Sequence, residues 1–368
     1  MNYLIEAQSQ LTDIEPLFAQ LKQTSGVVAV DTEFLREKTY NAKLCLIQLG
    51  IGEDQYCIDV LAIPDLSSIK ALLMEPSVLK LFHAARQDLE VLYQTFGMLP
   101  TPIFDTQLAA AFCGSDMQIG YAALVQDITG VELPKTQSRT DWTRRPLSKE
   151  QLQYAGEDVE YLAALHCELE QRLEAQNKTA WYTEEIITYY DVDKYQIDPE
   201  LAYKRLSGGN LSLKQQYLLK ALAAWRESCA QARDIPRSWV VRDDKLYDLV
   251  MQRPTTEEQI RALQAFGRKS ANYLVPQALE VIQSTKTGEA RLWRRVEPLS
   301  KPEKAVCSKL MKEVANKSKT LSIAQALLGT RKDIEYLFRH RQSKKLLRGW
   351  RKTVIGEHLV DYLRKLPE

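Results

Sequence analysis

Two acidic side chains, Asp31 and Glu33, follow directly on the apolar run at 28–30. Residues i and i+2 of a β-strand point to the same face, so a strand here would hold both carboxylates side by side. Such a pair repels and loses solvation, and a divalent cation that prefers hard oxygen ligands removes this cost. An acid-x-acid pattern arises by chance roughly six times in a chain this acidic, so further carboxylates are needed.

Three more residues complete a candidate set. Asp88 opens a predicted helix directly after a predicted strand, a position where sheet edges and helix starts form sites. Tyr154 and Asp158 are i and i+4 on another predicted helix and share one face. Each has a structural alternative when taken singly, such as a helix-dipole role for Asp88. As an ordered set on suitable elements, the five residues predict a metal-assisted active site.

Periodicity and turn signals predict the elements that must position these residues. A helix is expected over 11–23, and β-strands are expected over 43–51 and 55–60. The short connection between the two strands favours antiparallel pairing. A strand at 78–82 and a helix at 86–96 follow. Strands first, and then strands alternating with helices, predict an α/β domain with a mixed sheet flanked by helices.

The remainder of the chain is predicted to be mainly helical. Residues 131–147 form a polar loop, after which Ser148 caps a long helix that extends to about residue 176. Gly and Asn residues at 207–210 indicate a linker. Further helices are predicted at 213–232, 243–252, 256–265 and 270–284, and then at 301–316, 321–329, 331–339 and 355–366.

The net charge of +1 conceals a strong asymmetry. Residues 1–193 hold 14 basic and 29 acidic residues, whereas residues 194–368 hold 35 and 19, giving net charges of −15 and +16. This change of sign suggests separate domains, with the basic half meeting a polyanion such as nucleic acid. A basic helical surface that is only solvated is the alternative.

Composition excludes several classes of protein. A hydrophobic content of 45% and a charged content of 26% are ordinary for a globular protein. We expect neither a membrane span nor a signal peptide, because no apolar run reaches about 18 residues and the N-terminus lacks a basic region. The six cysteines have no C-x-x-C spacing and there are four histidines, which argues against zinc. Reduced cysteines and a cytoplasmic location are predicted.

The ordered set resembles the three exonuclease motifs of the DEDD superfamily, in its Tyr-bearing branch. Longer segments are similar to those of the bacterial ribonuclease D family: Asp-Thr-Glu-Phe at 31–34, Phe-His-Ala-Ala-Arg-Gln-Asp-Leu-Glu-Val-Leu at 82–92, Phe-Asp-Thr-Gln-Leu-Ala-Ala at 104–110, and Ser-Arg-Thr-Asp-Trp-Thr-Arg-Arg-Pro-Leu at 138–147. The C-terminal half is similar to the paired HRDC-type helical domains of that family. One departure is Ala84, where many superfamily members place Asn.

The resemblance implies a ribonuclease H-like exonuclease domain followed by two all-α helical bundle domains. The expected boundaries are 1–193 for the exonuclease domain, 194–210 for a linker, 211–290 for a first HRDC-type domain and 291–368 for a second, diverged one. The implied activity is 3′→5′ trimming of tRNA precursors and other small structured RNAs, with release of nucleoside 5′-monophosphates.

The resemblance also implies roles for the five residues. Two Mg²⁺ or Mn²⁺ ions would be held by four carboxylates: Asp31, Glu33, Asp88 and Asp158. Tyr154 would orient the attacking water rather than deprotonate it, because a tyrosine with a pKa near 10 is a poor base at neutral pH.

Five further residues are candidates for contact with RNA: Phe34, Gln48, His83, Arg139 and Trp142. Phe34 could wedge against the terminal base or ribose, and Gln48 could bind the penultimate nucleotide. Core packing and a bond to the local backbone are the respective alternatives. Trp142 could stack on a base or anchor its loop. Asp105 is expected to cap a helix rather than to bind a metal.

Two other functions stay open at this level. A DNA 3′→5′ exonuclease would use the same residues, since residue types alone do not identify a reader of the 2′-hydroxyl. A non-catalytic nucleic-acid-binding protein is disfavoured because all four carboxylates and the tyrosine are present. RNA is the expected partner, with no membrane and no obligate protein partner inferred.

Overall fold

A computed structural model describes residues 1–134, 140–293 and 297–365. It contains a mixed sheet of six strands: β1 (Asn2–Ile5), β2 (Val27–Leu35), β3 (Lys43–Ile51), β4 (Asp54–Ile58), β5 (Leu79–Phe82) and β6 (Ile103–Asp105). The strand order is β1-β4-β3-β2-β5-β6. Strands β3 and β4 pair antiparallel, whereas β1 pairs parallel with β4, and β5 pairs parallel with both β2 and β6. The predicted mixed sheet and the antiparallel pair are confirmed.

Eight helices accompany the sheet in the described part of the first 190 residues: α1 (Gln8–Thr24), α2 (Ser67–Met74), α3 (Arg86–Phe96), α4 (Thr106–Phe112), α5 (Tyr121–Thr129), α6 (Lys149–Glu160), α7 (Leu162–Ala175) and α8 (Thr179–Ile187). Strand β1 and helices α5 and α8 escaped prediction, since none of them has a long apolar periodicity. The long helix predicted after Ser148 is broken at Tyr161 into α6 and α7.

The chain forms two compact units. The first comprises Met1–Phe34, Leu44–Asp191 and Leu299–Glu368, and the second comprises Leu35–Lys43 and Val192–Pro298. The helices of the second unit are α9 (Leu213–Ala232), α10 (Arg237–Val240), α11 (Asp243–Gln252), α12 (Glu257–Ala262) and α13 (Arg268–Ser284). Their apolar faces meet in one core that includes Leu222, Leu249 and Ile260.

The C-terminal helices belong to the same unit as the sheet. They are α14 (Lys301–Leu321), α15 (Gln325–Leu328), α16 (Arg331–His340), α17 (Gly349–Arg351) and α18 (Glu357–Arg364), with a π-helical segment at Lys352–Gly356. The buried Lys178 ammonium donates to the carbonyls of Phe112 at 2.7 Å and Ser322 at 2.9 Å. The rings of Trp181 and Trp350 stack at 4.8 Å. These contacts join the C-terminal helices to those around the sheet.

The predicted boundaries at residues 193, 210 and 290 stay a prediction. Within the described ranges, no helix combines the length and the apolar character needed to cross a lipid bilayer.

Candidate active site

Strand β2 carries Asp31 and Glu33 past the end of its neighbour. Pairing with β5 covers only Val27–Ala29 of β2, so the acidic residues lie beyond the paired section at the carboxyl edge of the sheet. Helix α3 begins four residues after β5 ends and has Asp88 in its first turn. The parallel strands and the short strand-to-helix connection therefore direct these carboxylates to the same edge.

Helix α6 contributes Tyr154 and Asp158 one turn apart. Ser148 caps this helix, with its hydroxyl oxygen accepting from the backbone N–H of Gln151 at 3.2 Å. The Tyr154 hydroxyl donates a hydrogen bond to the Asp158 carboxylate. Gly156 lies between them, and a Cβ there would be 2.4 Å from the side-chain nitrogen of Asn2. The glycine thus permits close approach of strand β1 to α6.

Three of the four predicted metal ligands meet in space. Asp31, Glu33 and Asp158 each offer a carboxylate oxygen, and these oxygens lie within 4.8 Å of one another. Asp88 is not a member of this group of three, but its charge is close enough to raise the pKa values of Asp31 and Glu33. The structure therefore assembles the predicted carboxylates at one site.

The electrostatics of the site disfavour charge on every carboxylate. Burial first, and then the charges of Asp158 and Asp88, raise the pKa of Glu33 to about 8. Burial and the neighbouring carboxylates also raise the pKa of Asp31 well above its usual range. Burial raises the pKa values of Asp88 and Asp158 to about 7 each. Acids arranged in this way are suited to a divalent cation, which would compensate their charge.

Asp88 is held by Thr32, a residue that the sequence analysis did not single out. The Thr32 hydroxyl donates to Oδ1 of Asp88 at 2.6 Å, and only 4% and 6% of the two residues are exposed. Thr32 lies between Asp31 and Glu33 on β2, so its side chain points to the other face of the strand. The hydroxyl residue between the two acids of the acid-x-acid pattern was the sequence feature that could have predicted this hydrogen bond.

The buried amide of Gln48 is a second, independent observation which indicates that the site can bind a polar group. A Cβ on Gly50 would lie 3.0 Å from that of Ala29, so these residues are neighbours on β3 and β2. The connection at 36–42 is too short for a parallel crossover, which makes the two strands antiparallel and puts Asp31 opposite Gln48. Gln48 is fully buried, and neither atom of its amide has a hydrogen-bond partner among the described residues. A polar amide beside carboxylates fits a hydrated cation.

Tyr121 explains the break between α6 and α7. Its hydroxyl donates to the carbonyl of Glu157 at 3.0 Å and accepts from the backbone N–H of Tyr161 at 3.1 Å. In a continuous helix this N–H and this carbonyl would bond to each other, so the hydroxyl is inserted into the helical ladder. The insertion fixes the turn that carries Asp158. No sequence signal marked Tyr121, because the contact spans some 40 residues.

Asp105 is a cap, as predicted. Its buried carboxylate accepts from the backbone N–H groups of Gln107 and Leu108 at the start of α4. It also accepts from those of Ala84 and Ala85 at the start of α3, each at 3.1 Å. One side chain therefore orients two helix starts, including that of the helix that carries Asp88.

The predicted RNA contacts have differing surroundings. The ring nitrogens of His83 lie 2.9 Å from the Thr106 hydroxyl and 3.0 Å from the carbonyl oxygen of Ile119. Trp142 is 3% exposed, and its ring centroid lies 6.3 Å from that of Tyr154. Phe34 is half-buried on β2. Arg139 lies outside the described residues. Contact of these residues and Gln48 with RNA stays a prediction.

The loop that bears Trp142 is fixed by an arginine that the sequence analysis did not single out. The Arg145 guanidinium donates to the carboxylate of Asp59, with one distance of 2.6 Å, and to the carbonyls of Trp142 at 2.8 Å and Cys45 at 3.1 Å. Asp59 follows directly on β4 and is almost fully buried. This bidentate pair ties the loop to β3 and β4 and so supports the packing of Trp142 beside Tyr154.

Comparison with known proteins agrees with this geometry. The 3′-5′ exonuclease family model matches residues 5–174, and the HRDC domain model matches residues 215–282. Ribonuclease D of Granulibacter bethesdensis is 35% identical over 90% of this chain and 85% of its own length. Ribonuclease D of Acidiphilium cryptum is 36% identical over 89% and 86%. The crystal structure of Escherichia coli RNase D covers 100% of both chains with a TM-score of 0.86 and 31% identity.

The match to the 3′-5′ exonuclease family model, together with the mixed sheet and the acidic cluster at its carboxyl edge, places the chain among the 3′-5′ exonucleases. The relatives narrow this class. The chain belongs to the ribonuclease D family and is a 3′→5′ exoribonuclease with an HRDC domain. The predicted fold class and the predicted enzyme class are thereby confirmed.

Proposed function

We propose that this exoribonuclease uses two divalent metal ions, Mg²⁺ or Mn²⁺, bound by four carboxylates: Asp31, Glu33, Asp88 and Asp158. The observation that carries the proposal is the group of three oxygens within 4.8 Å, whose carboxylates have raised pKa values. Bound ions would lower the pKa of a water and stabilise both the attacking and the leaving oxygen. The product would be a nucleoside 5′-monophosphate.

Tyr154 would orient the attacking water. Burial and the charges of Asp158 and Glu33 raise the pKa of its phenol above the usual value, so it stays protonated at neutral pH. A protonated hydroxyl donates a hydrogen bond and accepts another, which suits positioning rather than proton abstraction. The ring of Trp142 supports Tyr154 from the side.

The proposed substrates are tRNA precursors and other small structured RNAs. The E. coli RNase D structure is described as that of an exoribonuclease involved in structured RNA processing, and the two chains cover each other fully. We also propose the domain division at 1–193, 211–290 and 291–368, of which the HRDC match at 215–282 supports the central part. A reducing compartment such as the cytoplasm suits six cysteines that form no disulfide within the described residues.

The test is digestion of a tRNA with a short 3′ extension, compared with single-stranded DNA of equal length, in Mg²⁺, Mn²⁺ or chelator. Stepwise shortening of the RNA that needs metal is expected, with Asp31→Asn at least about 10³-fold slower. Asp13→Asn, on the exposed side of α1, is the matched control and should keep full activity.

Tyr154→Phe separates positioning from binding. Its single-turnover rate should fall by about 10²-fold while RNA and metal binding persist. An unchanged single-turnover rate in Tyr154→Phe would contradict the role of the hydroxyl. In the digestion test with the wild-type chain, faster digestion of the DNA than of the RNA would favour a DNA exonuclease.

A further inference from the structure

The basic surplus of this chain lies mainly outside the region that matches the HRDC domain. Residues 215–282 contain ten basic and eight acidic residues, whereas residues 299–368 contain 17 and seven. Six of the ten basic residues in the matched region form ion pairs: Lys220, Arg226, Arg237, Arg242, Lys245 and Arg261. Long-range attraction for a polyanion must therefore come mainly from the C-terminal segment.

Helix α14 arranges part of this charge in a line, which we call the lysine stripe: Lys301, Lys309, Lys312 and Lys319. The spacing of 11 residues from Lys301 to Lys312 and of seven from Lys312 to Lys319 corresponds to about three and two helical turns. Lys309 lies about one turn before Lys312. The four side chains therefore share one side of the helix over about 27 Å.

The lysine stripe faces solvent. All four lysines are exposed, whereas Cys307, Leu310 and Val314 on the opposite side of α14 are buried. The other residues on the stripe side include Ala305 and Asn316, and none is acidic. Among the described residues, no carboxylate lies within ion-pair distance of these four lysines.

We propose that the lysine stripe binds the phosphate backbone of structured RNA, an inference that rests on the proposed function. Ammonium groups act as point charges toward phosphates and carry no base preference. No aromatic side chain on the stripe offers a surface for base stacking, so backbone contact is the mode that this surface fits. The stripe belongs to the compact unit that contains the active site, and it lies outside the residues matched by the HRDC domain model.

Counterion release makes the proposal measurable. Each phosphate neutralised by a lysine contributes about 0.9 to the slope of log K against log salt on a duplex. Replacing the four lysines by glutamine preserves helix propensity and removes four charges. The magnitude of the salt slope for a tRNA should then fall by about 3.6, and KM for the 3′-extended tRNA should rise at least about tenfold at moderate salt.

A matched variant controls for net charge. Four of the exposed lysines of the second unit, Lys38, Lys214, Lys269 and Lys286, are replaced by glutamine in the same way. This variant has the same net charge as the stripe variant, and its salt slope should change by less than about one. Circular dichroism and thermal unfolding of both variants establish that each remains folded.

The readouts are the salt slope from tRNA binding and the separate values of kcat and KM. The proposal is supported if only the stripe variant has a smaller salt slope and a higher KM, with kcat unchanged. Equal losses in the two variants, or a larger loss in the second-unit variant, would overturn it. Failure of the wild-type chain to digest the tRNA would instead contradict the proposed function, so the two failures are distinguishable.

Discussion

Two kinds of buried acidic residue lie at the carboxyl edge of the sheet. The groups around each carboxylate distinguish a structural role from a candidate catalytic role. Asp105 accepts four backbone N–H groups, so its charge is fully used in holding two helix starts. Asp31, Glu33 and Asp158 instead face one another, and burial with mutual repulsion raises their pKa values. A buried carboxylate that accepts backbone hydrogen bonds is a structural group, whereas carboxylates that face one another are suited to binding a cation.

The largest expected effect concerns the structural acid. Asp105→Ala leaves four backbone N–H groups near the start of α3 and α4 without their acceptor, and we expect a loss of about 3 kcal/mol or more of unfolding free energy. Asp105→Asn keeps the oxygen that accepts three of the four bonds and should lose less. Urea unfolding in chelator measures both. A stable Asp105→Ala protein with weakened metal binding would make Asp105 a metal ligand and remove the contrast.

Thr32 sharpens the comparison, because its hydroxyl donates a hydrogen bond of 2.6 Å to Asp88, a member of the candidate set. Thr32→Val keeps the branched shape and loses the hydroxyl, so Mn²⁺ affinity should fall by about 10- to 100-fold, the usual range for a residue that orients a metal ligand. Thr32→Ser retains the hydroxyl and should restore most of the affinity. Calorimetric Mn²⁺ titration is the measurement. If Thr32→Val and Thr32→Ser lose the same Mn²⁺ affinity, the role of Thr32 is packing rather than hydrogen bonding.

The pH dependence of stability tests the crowded acids as a group. Their folded-state pKa values are raised, to about 7 for Asp88 and Asp158 and about 8 for Glu33. Above about pH 4 the unfolded chain releases these protons while the folded chain keeps them, so metal-free stability should fall as pH rises from about 4 to 8.

Metal should reverse this trend, since binding requires ionised ligands and releases protons. Thermal unfolding in chelator and in Mn²⁺ between pH 5 and 8 gives the two profiles. The Glu33→Gln protein serves as the reference with one titrating acid fewer. Parallel profiles with and without metal would show that these acids are not its ligands.

The sequence predicted the parts of the site that local patterns encode. Asp31 and Glu33 were marked by strand periodicity, and Tyr154 and Asp158 by helical spacing and a capping box at Ser148. It did not predict Tyr121, because insertion of a hydroxyl into a helix 36 residues away depends on tertiary packing. Strand β1 was missed for a related reason, since its four residues are defined by pairing with β4 rather than by their own pattern.

Gly156 shows how the reason for a residue can lie in a distant part of the chain. The structure shows that its neighbour is Asn2, whose amide also donates to the carbonyl of Leu152. The requirement for glycine therefore comes from packing of β1 on α6, which the sequence of α6 alone does not encode.

Ala84, the one departure from the superfamily pattern, gives the smallest expected effect. Its φ of 60° lies in the left-handed region, which a Cβ disfavours and which Asn and Gly adopt more readily. Its N–H is held by Asp105, so the conformation is enforced by the structural acid. Ala84→Gly and Ala84→Asn should each raise the unfolding free energy by about 0.5–1 kcal/mol.

Ala85 is the matched control for this last test. It is the next residue, it has helical φ and ψ, and it is also held by Asp105. Ala85→Gly should lower the unfolding free energy by about 1 kcal/mol, because glycine gains freedom only in the unfolded chain. If the Ala→Gly substitutions at positions 84 and 85 change the unfolding free energy in opposite directions, the backbone conformation set by Asp105, rather than side-chain volume, decides which residue suits position 84. If both substitutions lower the unfolding free energy, Asp105 imposes no strain at position 84. The superfamily preference for Asn would then require a direct role of the Asn amide.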